Sequence, residues 1–403
     1  MRLRIFTCII VLAFSSNAQN NFFTPDTVVN QLVINGYGGV ASTGIPQNFM
    51  NKFLFPGFID KALKDEASES LKNGNIFGGE LTTDFHLYLQ PGSLTKNGFW
   101  GIGFGSNLEG NLNFSKDLFN LVFYGNQPYA GKNLNLDNTY FESVSYSYLD
   151  FTLGKSYDEV KGRSSYWIDL GIVFGHNFTS FQLPTASIFT EISGNYLDIA
   201  IKDGNMAFSD TMTSSLVKGI GGKVNLNYSY TTNSLKLLLQ VKNIGGITWT
   251  SATSTDIDTT LRFEGIDVSN IFQLSDSVLN EVTSIDSLLD SEKENSFVML
   301  PINFNLYYKQ QFGKLAIDVN ARYRLFTNYN PYLRVGAYYK LPIFTPGVTV
   351  AYGGYGAAQV GINTELNFLK KLKIVLGTNN VLGAITPKVS TALDAYVGVK
   401  LKF

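Results

Sequence analysis

Leu315-Ala316-Ile317-Asp318-Val319-Asn320-Ala321-Arg322-Tyr323-Arg324-Leu325 decides the fold. Leu315, Ile317, Val319, Ala321, Tyr323 and Leu325 alternate with Asp318, Asn320, Arg322 and Arg324, the two-residue period of a strand with one apolar and one charged face. Just upstream, Ile302, Phe304, Leu306 and Tyr308 alternate with Asn303, Asn305, Tyr307 and Lys309, and a turn at 310–313 joins the two runs. Downstream the pattern restarts at 331–341, 346–353, 358–369 and 371–382. Its last run sets Ala395, Val397, Val399, Leu401 and Phe403 against Tyr396, Gly398, Lys400 and Lys402.

Two architectures use such a meander: a soluble up-and-down barrel with the apolar face inside, or a membrane barrel with that face toward lipid and a polar lumen. The runs reach about 10 residues or more, enough to cross a bilayer when tilted, whereas strands of soluble domains average about 5 to 6. After residue 18 the sequence holds no stretch of 18 consecutive apolar residues, so no helix is expected to span. A chain in a bilayer must then close its sheet, because an open edge cannot be satisfied in hydrocarbon.

Composition agrees. The 403 residues are 44% hydrophobic, 14% aromatic and 16% charged, with 22 Tyr and 31 Phe, as expected where one face of each strand meets lipid and rings mark the interfaces. A net charge of -1 gives no reason to expect a nucleic-acid partner. Residues 1–18 read as a signal peptide: Arg2 and Arg4, then the apolar Ile5 to Phe14, then Ser16-Asn17-Ala18 as a cleavage site. The mature chain is expected to begin at Gln19, and removing the signal removes Cys8, the sole cysteine.

Strands are expected near 31–42, 79–89, 98–113, 140–154, 165–177, 217–230, 234–248, 298–310, 313–327, 331–341, 346–354, 357–369, 371–382 and 392–403. That is an all-β transmembrane fold, a closed antiparallel up-and-down barrel of about 14 strands, the even number such barrels require. Connections alternate between short turns and long loops at 43–78, 114–139, 178–216 and 249–297. Residues 48–73 read as an amphipathic helix that would plug or cap the lumen. Residues 114–121 read as a Ser-capped helical turn, 195–212 as a hairpin around Asp203-Gly204-Asn205, and 268–292 as acidic amphipathic helices.

With lipid facing Leu235, Leu237, Leu239, Leu315, Ile317 and Val319, parity turns Asp84, His86, Asp169, Lys236 and Gln240 into the lumen, together with Asp318, Arg322, Arg324, Glu365 and Lys373. A Lys or Arg at mid-bilayer would cost about 2 to 4 kcal/mol. Both signs are present, which favours a lumen laced by ion pairs and plugged over an open pore of one sign.

No catalytic residue, metal site or cofactor is expected. His86 shares a face with Asp84, the arrangement a rim hydrolase would need, but polar lumen filling is the commoner use. His176 is expected in a loop, and neither histidine has zinc-ligand spacing. Gly101, Gly103 and Gly105 line one strand face with no helix directly after them, so they read as bends or as room for a plug rather than as a phosphate loop.

Three stretches carry a resemblance: Phe114 to Asn126, Val241-Lys242-Asn243-Ile244-Gly245-Gly246-Ile247-Thr248-Trp249, and Asn379-Asn380-Val381-Leu382-Gly383. They resemble a Bacteroidota domain-of-unknown-function family of predicted outer-membrane barrels, over residues 25 to 403. More distantly the layout is similar to fatty-acid transporter barrels. The final strand ending on Phe403 also resembles the signature read by the outer-membrane assembly machinery. The resemblance implies location and fold: membrane lipid and that machinery as partners, and an envelope protein as a further candidate. Three functions stay open at this point: passive transport of a hydrophobic or small molecule through a gated or plugged lumen, a non-transporting scaffold, and a rim hydrolase.

Overall fold

The computed structural model describes residues 25, 29–55, 57–90, 97–209, 215–264, 291–368 and 371–403. Its strands are β1 (Gln31–Ser42), β2 (Asn75–Leu89), β3 (Gly98–Phe114), β4 (Asn133–Asn135), β5 (Thr139–Glu159), β6 (Gly162–Leu183), β7 (Thr185–Thr190), β8 (Leu197–Phe208) and β9 (Gly219–Thr231). They continue as β10 (Leu235–Phe263), β11 (Ser291–Met299), β12 (Ile302–Phe312), β13 (Leu315–Leu325), β14 (Asn330–Tyr339), β15 (Phe344–Gly354), β16 (Ala358–Phe368), β17 (Leu372–Thr378) and β18 (Ala392–Lys402). The helices are α1 (Gln47–Leu54), α2 (Lys61–Ser70), α3 (Lys116–Tyr124) and the single turn α4 (Leu382–Ile385).

Fourteen of these strands form a closed antiparallel wall in the order β1-β2-β3-β5-β6-β9-β10-β12-β13-β14-β15-β16-β17-β18. Closure is made by β18 pairing back on β1 from Gln31↔Lys402 to Ala41↔Ala392. Tight turns sit at one end, as at Val160-Lys161 between Glu159 and Gly162, and at Gly313-Lys314, where Gly313 takes a positive φ of 59°. The longer connections gather at the other end.

Outward positions are apolar: Leu315, Ile317, Leu333, Val335, Val348, Val350, Val360 and Ile362 are exposed on the barrel's outer face. Val319, Leu235 and Leu237 are half-buried on that same face, while their neighbours Asp318, Leu238 and Gln240 are buried inside. No helix among the described residues is long and apolar enough to cross a membrane.

Three expectations change at the long-loop end. Residues 249–297 are not one loop, because β10 continues to Phe263 and β11 returns from Ser291, paired from Thr255↔Ser291 to Gly246↔Met299. The Thr- and Ser-rich stretch above Trp249 is extended because it is paired, to β11 over 252–255 and to β8 over 253–263. The acidic helices expected over 268–292 fall mostly outside the described residues. Asp203-Gly204-Asn205 is no hairpin tip: it lies inside β8, where Asp203 has a positive φ of 54° beside a register shift against Ile257 and Thr259. The hairpin turn comes instead between Thr190 and Leu197, joining β7 to β8.

The helix expected over 48–73 is two helices, α1 and α2, separated by the helix-breaking Pro56-Gly57 sequence. Asp60 caps α2 by accepting from Leu63 N–H, and Ser115 caps α3 by accepting from Leu118 N–H. Their apolar faces meet one another and the tips of β2 and β3 through Phe49, Ala67, Leu71, Phe114 and Phe119. They stand on the rim as a bundle rather than filling the barrel.

Candidate functional site

The lumen is the candidate site, and its side chains form layers along the barrel axis. The outermost layer is ionic. Arg324 on β13 reaches Glu80 on β2 (Nη2 to Oε2, 2.6 Å) and Glu109 on β3 (Nη1 to Oε2, 3.3 Å), with all three buried. Its guanidinium also lies 4.7 Å from the Tyr329 ring centroid. Replacing either side alone would strand a buried charge, at a cost of about 3 to 5 kcal/mol. Beside this layer, under β8 and the upper part of β10, the lumen is filled by Val144, Tyr146, Val173, Phe178, Ile247 and Trp249.

Trp249 points inward because β10 carries a bulge between Val241 and Ile244. Below it, even-numbered residues (Lys236, Leu238, Gln240) face the lumen; above it the odd-numbered Ile247 and Trp249 do. Asn243 takes the required positive φ of 63° and its N–H donates to Asn225 Oδ1 (2.8 Å). At Gly245, φ is 155° and an added Cβ would lie 2.0 Å from the Gly222 carbonyl oxygen, so only glycine fits. The 241–249 stretch is therefore the device that turns the strand's faces over. The Asn379–Gly383 stretch has a comparable role: Asn380 Nδ2 donates to Ser390 Oγ and to the Ala392 carbonyl, seating α4 against β18.

Beneath the ionic layer lies a polar chamber of about 90 Å³, room for a handful of waters. Asp150 and Lys223 pair at 3.0 Å with both side chains buried, and Lys223 Nζ sits 3.2 Å from the Tyr148 ring centroid. A chain of hydrogen bonds then runs along half the wall. Thr152 donates to Asp169 (2.7 Å), Asn227 to Asp169 (3.1 Å), Gln240 to Asn227 (2.7 Å), Asn305 to Gln240 (3.1 Å) and Asn320 to Asn305 (2.7 Å), linking β5, β6, β9, β10, β12 and β13. Arg322 lines both this chamber and a smaller cavity of about 40 Å³ toward the long-loop end, and so forms their shared wall.

Below the chamber the lumen turns apolar. Val33, Tyr88, Phe99, Trp167, Leu238, Tyr307, Val375 and Tyr396 are all buried and packed together, drawn from eight of the fourteen wall strands. Closest to the tight turns the lumen is basic: Lys236, Lys309, Lys373 and Lys400, with Glu365 bound to Lys373 at 2.6 Å.

The ten residues placed in the lumen by parity are spread over these layers. Asp84, His86, Asp169, Gln240 and Arg322 line the chamber; Arg324 forms the ionic layer; Lys236, Glu365 and Lys373 belong to the basic end. Asp318 is buried at the basic end's edge, bonded to Arg334 Nη2 (3.2 Å) and Tyr338 (2.6 Å). Among the described residues no hydrogen bond joins His86 to Asp84. Asp84 accepts from the Tyr148 hydroxyl, whereas His86 stacks on Tyr88 (centroids 5.7 Å apart) with Nδ1 buried and without a hydrogen bond among the described residues. The glycines opposite make room for these rings rather than for a plug: a Cβ at Gly103 would lie 2.4 Å from His86 Nδ1, and one at Gly105 2.4 Å from the Tyr148 hydroxyl. His176 is on β6, not in a loop, with Nδ1 2.8 Å from the Leu216 carbonyl and Nε2 3.0 Å from Ser147 Oγ.

Parity also reaches residues outside that set. Glu80, Glu109, Asp150 and Lys223 complete the ion pairs, and each lies on an alternating strand whose inward face its neighbours define. Neither cavity is lined by a residue of α1 or α2.

A family model described as "Family of unknown function (DUF5723)" matches residues 5–379. No curated protein matches the chain in sequence. Among solved structures, the chain is similar to the Pseudomonas putida toluene transporter TodX (12% identity, 96% of this chain and 93% of that chain, TM-score 0.43). It is similar also to a Pseudomonas aeruginosa FadL homologue (10% identity, 97% and 92%, TM-score 0.42) and to the translocator domain of the autotransporter NalP from Neisseria meningitidis (6% identity, 100% and 96%, TM-score 0.35).

Proposed function

We propose that this chain, which belongs to the family of unknown function DUF5723, lies in an outer membrane and passes a small molecule through a lumen held shut at rest by two closures of different chemistry. The observation that carries this reading is the polar chamber between the Arg324–Glu80–Glu109 layer on one side and the Trp167–Leu238–Tyr307 layer on the other. An ionic closure yields to water and counter-charge; an apolar constriction excludes water until it widens. Two such closures in series let one open while the other holds. The mixed-charge, amide-rich chamber suits a polar cargo better than an apolar one, and at about 90 Å³ it must widen to admit any cargo larger than water. The reading gives no residue a catalytic step.

The test is conductance of the purified barrel in planar bilayers. Wild type is expected to be closed, R324A and W167A each to flicker, and the double variant to conduct steadily. A folded double variant that conducts no more than wild type overturns the proposal.

A scaffold reading is favoured by one observation, the sheet of β8, β10 and β11 that continues the wall beyond the barrel, with Arg262 and Asp198 paired at 2.7 Å on its exposed face. Capture of an envelope protein that is lost when 252–263 is replaced by a short turn, from a barrel that never conducts, would favour it.

A further inference from the structure

At the long-loop end, outside the ionic layer, a cavity of about 470 Å³ opens between two parts of the wall. One side is made by Tyr140, Glu142 and Phe178, on the inward faces of β5 and β6, and the other by Phe297 and Met299 of β11 and by Phe326, just past the end of β13. Small-molecule sites measure about 300 to 1,000 Å³, so this cavity takes an organic molecule without widening. Glu142 is 8% exposed, stands opposite Ser180 and accepts from the Tyr140 hydroxyl. Among the described residues no cation pairs with it, and Glu109 of the ionic layer repels it. Its outward neighbours on β5 are Ser143, Ser145 and Ser147, whereas the apolar outward run starts at Leu149, so this level lies beyond the membrane band. Burial there holds the Glu142 carboxyl above its usual range. The rings are unusual too: Phe297 is 61% and Phe326 54% exposed, and Phe326 holds a positive φ of 62°, which bulky residues adopt rarely. Two residues on, Asn328 Nδ2 donates to Asn111 Oδ1 of β3 (3.1 Å), drawing this segment in over the mouth.

We infer that this cavity binds an organic ammonium ion, its charge at Glu142 and its apolar body against the rings of Phe178, Phe297 and Phe326. A carboxylate answers the ammonium with a charge-assisted contact. Each ring presents a negative face to the same cation, worth about 0.5 to 2 kcal/mol according to how far the pair is desolvated. The carboxylate also rejects anions, since a further negative charge would stand beside both Glu142 and Glu109. The cavity is reached from the long-loop end with both closures of the lumen intact, so binding here is independent of whether the barrel conducts.

Calorimetric titration of the purified barrel in uncharged detergent tests this, with benzyltrimethylammonium as the probe and benzyl alcohol and benzoate as its neutral and anionic counterparts. The ammonium should give saturable heat, and the two counterparts should bind at least about tenfold more weakly. E142Q, which keeps the side chain's shape and loses its charge, should weaken the ammonium by at least about tenfold. F297A, at an exposed side chain, should weaken it about fivefold. Heat-modifiable migration on gels checks that each variant is folded. No saturable heat from the ammonium, equal binding of benzyl alcohol or benzoate, or an undiminished affinity in folded E142Q overturns the proposal. Should E142Q fail to fold, an undiminished affinity in F297A overturns it instead.

Discussion

Arg324 and Glu80 meet at 2.6 Å although their strands lie on opposite sides of the barrel, β13 and β2 being seven strands apart in either direction around the wall. The bridge is thus a strut across the full bore. It couples two walls that share no backbone hydrogen bond.

The first prediction concerns that strut. R324A leaves Glu80 and Glu109 buried without their counter-charge and should lower unfolding stability by about 3 to 5 kcal/mol. The triple variant R324M/E80Q/E109Q, which removes all three charges, should recover most of the loss. Urea unfolding in lipid vesicles measures both.

L238A and W167A open space in the apolar layer, where both side chains are buried. Each should cost about 2 to 5 kcal/mol and raise ion leakage, read in the same vesicles by unfolding and by dye release. A loss of stability without leakage would assign that layer to packing alone.

Val350 tests the orientation of the whole barrel, being exposed on the outer face near the middle of β15. V350R should cost about 2 to 4 kcal/mol in a bilayer and much less than 1 kcal/mol were that face in water. The comparison needs only folding yields into vesicles for arginine and alanine at this one position.

G245A should prevent folding or cost more than about 3 kcal/mol, since the added methyl meets a carbonyl oxygen in a backbone conformation that side chains rarely adopt. G313A, where nothing lies within 4 Å of an added Cβ, should be tolerated far better despite its positive φ. Heat-modifiable migration on gels distinguishes the two.

The rim bundle should respond to acid. The carboxyl of Asp65 is held below its usual range, first by its hydrogen bond to Lys61 and then by that from Tyr124 on α3. A depressed folded-state value means the contact contributes above the unfolded carboxylate value of about 3.9 and is lost as pH falls through the lower, folded one. Amide exchange of α2 and α3 should therefore quicken below about pH 4, and D65N should remove the pH dependence.

The barrel was legible because runs such as Leu315–Leu325 alternate without interruption, so each residue's parity reports its face. The same parity set Leu238 between Lys236 and Gln240, and Tyr307 between Asn305 and Lys309. A wholly polar lumen was expected because charges are the costlier residues to misplace, and the apolar layer among them went unread. Trp249 was beyond reach for another reason: a single bulge at Asn243 exchanges the two faces, and its positive φ is a backbone property that Asn and Gly permit but do not announce. The extent of β10 depended on partners, β8 and β11, that come from elsewhere in the chain.

The pairing of β1 with β18 bears on biogenesis. Every other adjacent pair in the wall can zip as the chain is delivered, but this seam joins residues some 370 positions apart, Gln31 to Lys402. A nascent barrel therefore keeps two raw margins of unmet N–H and C=O groups until its final segment arrives, and a chain cut short anywhere upstream would be left as an open, adhesive sheet.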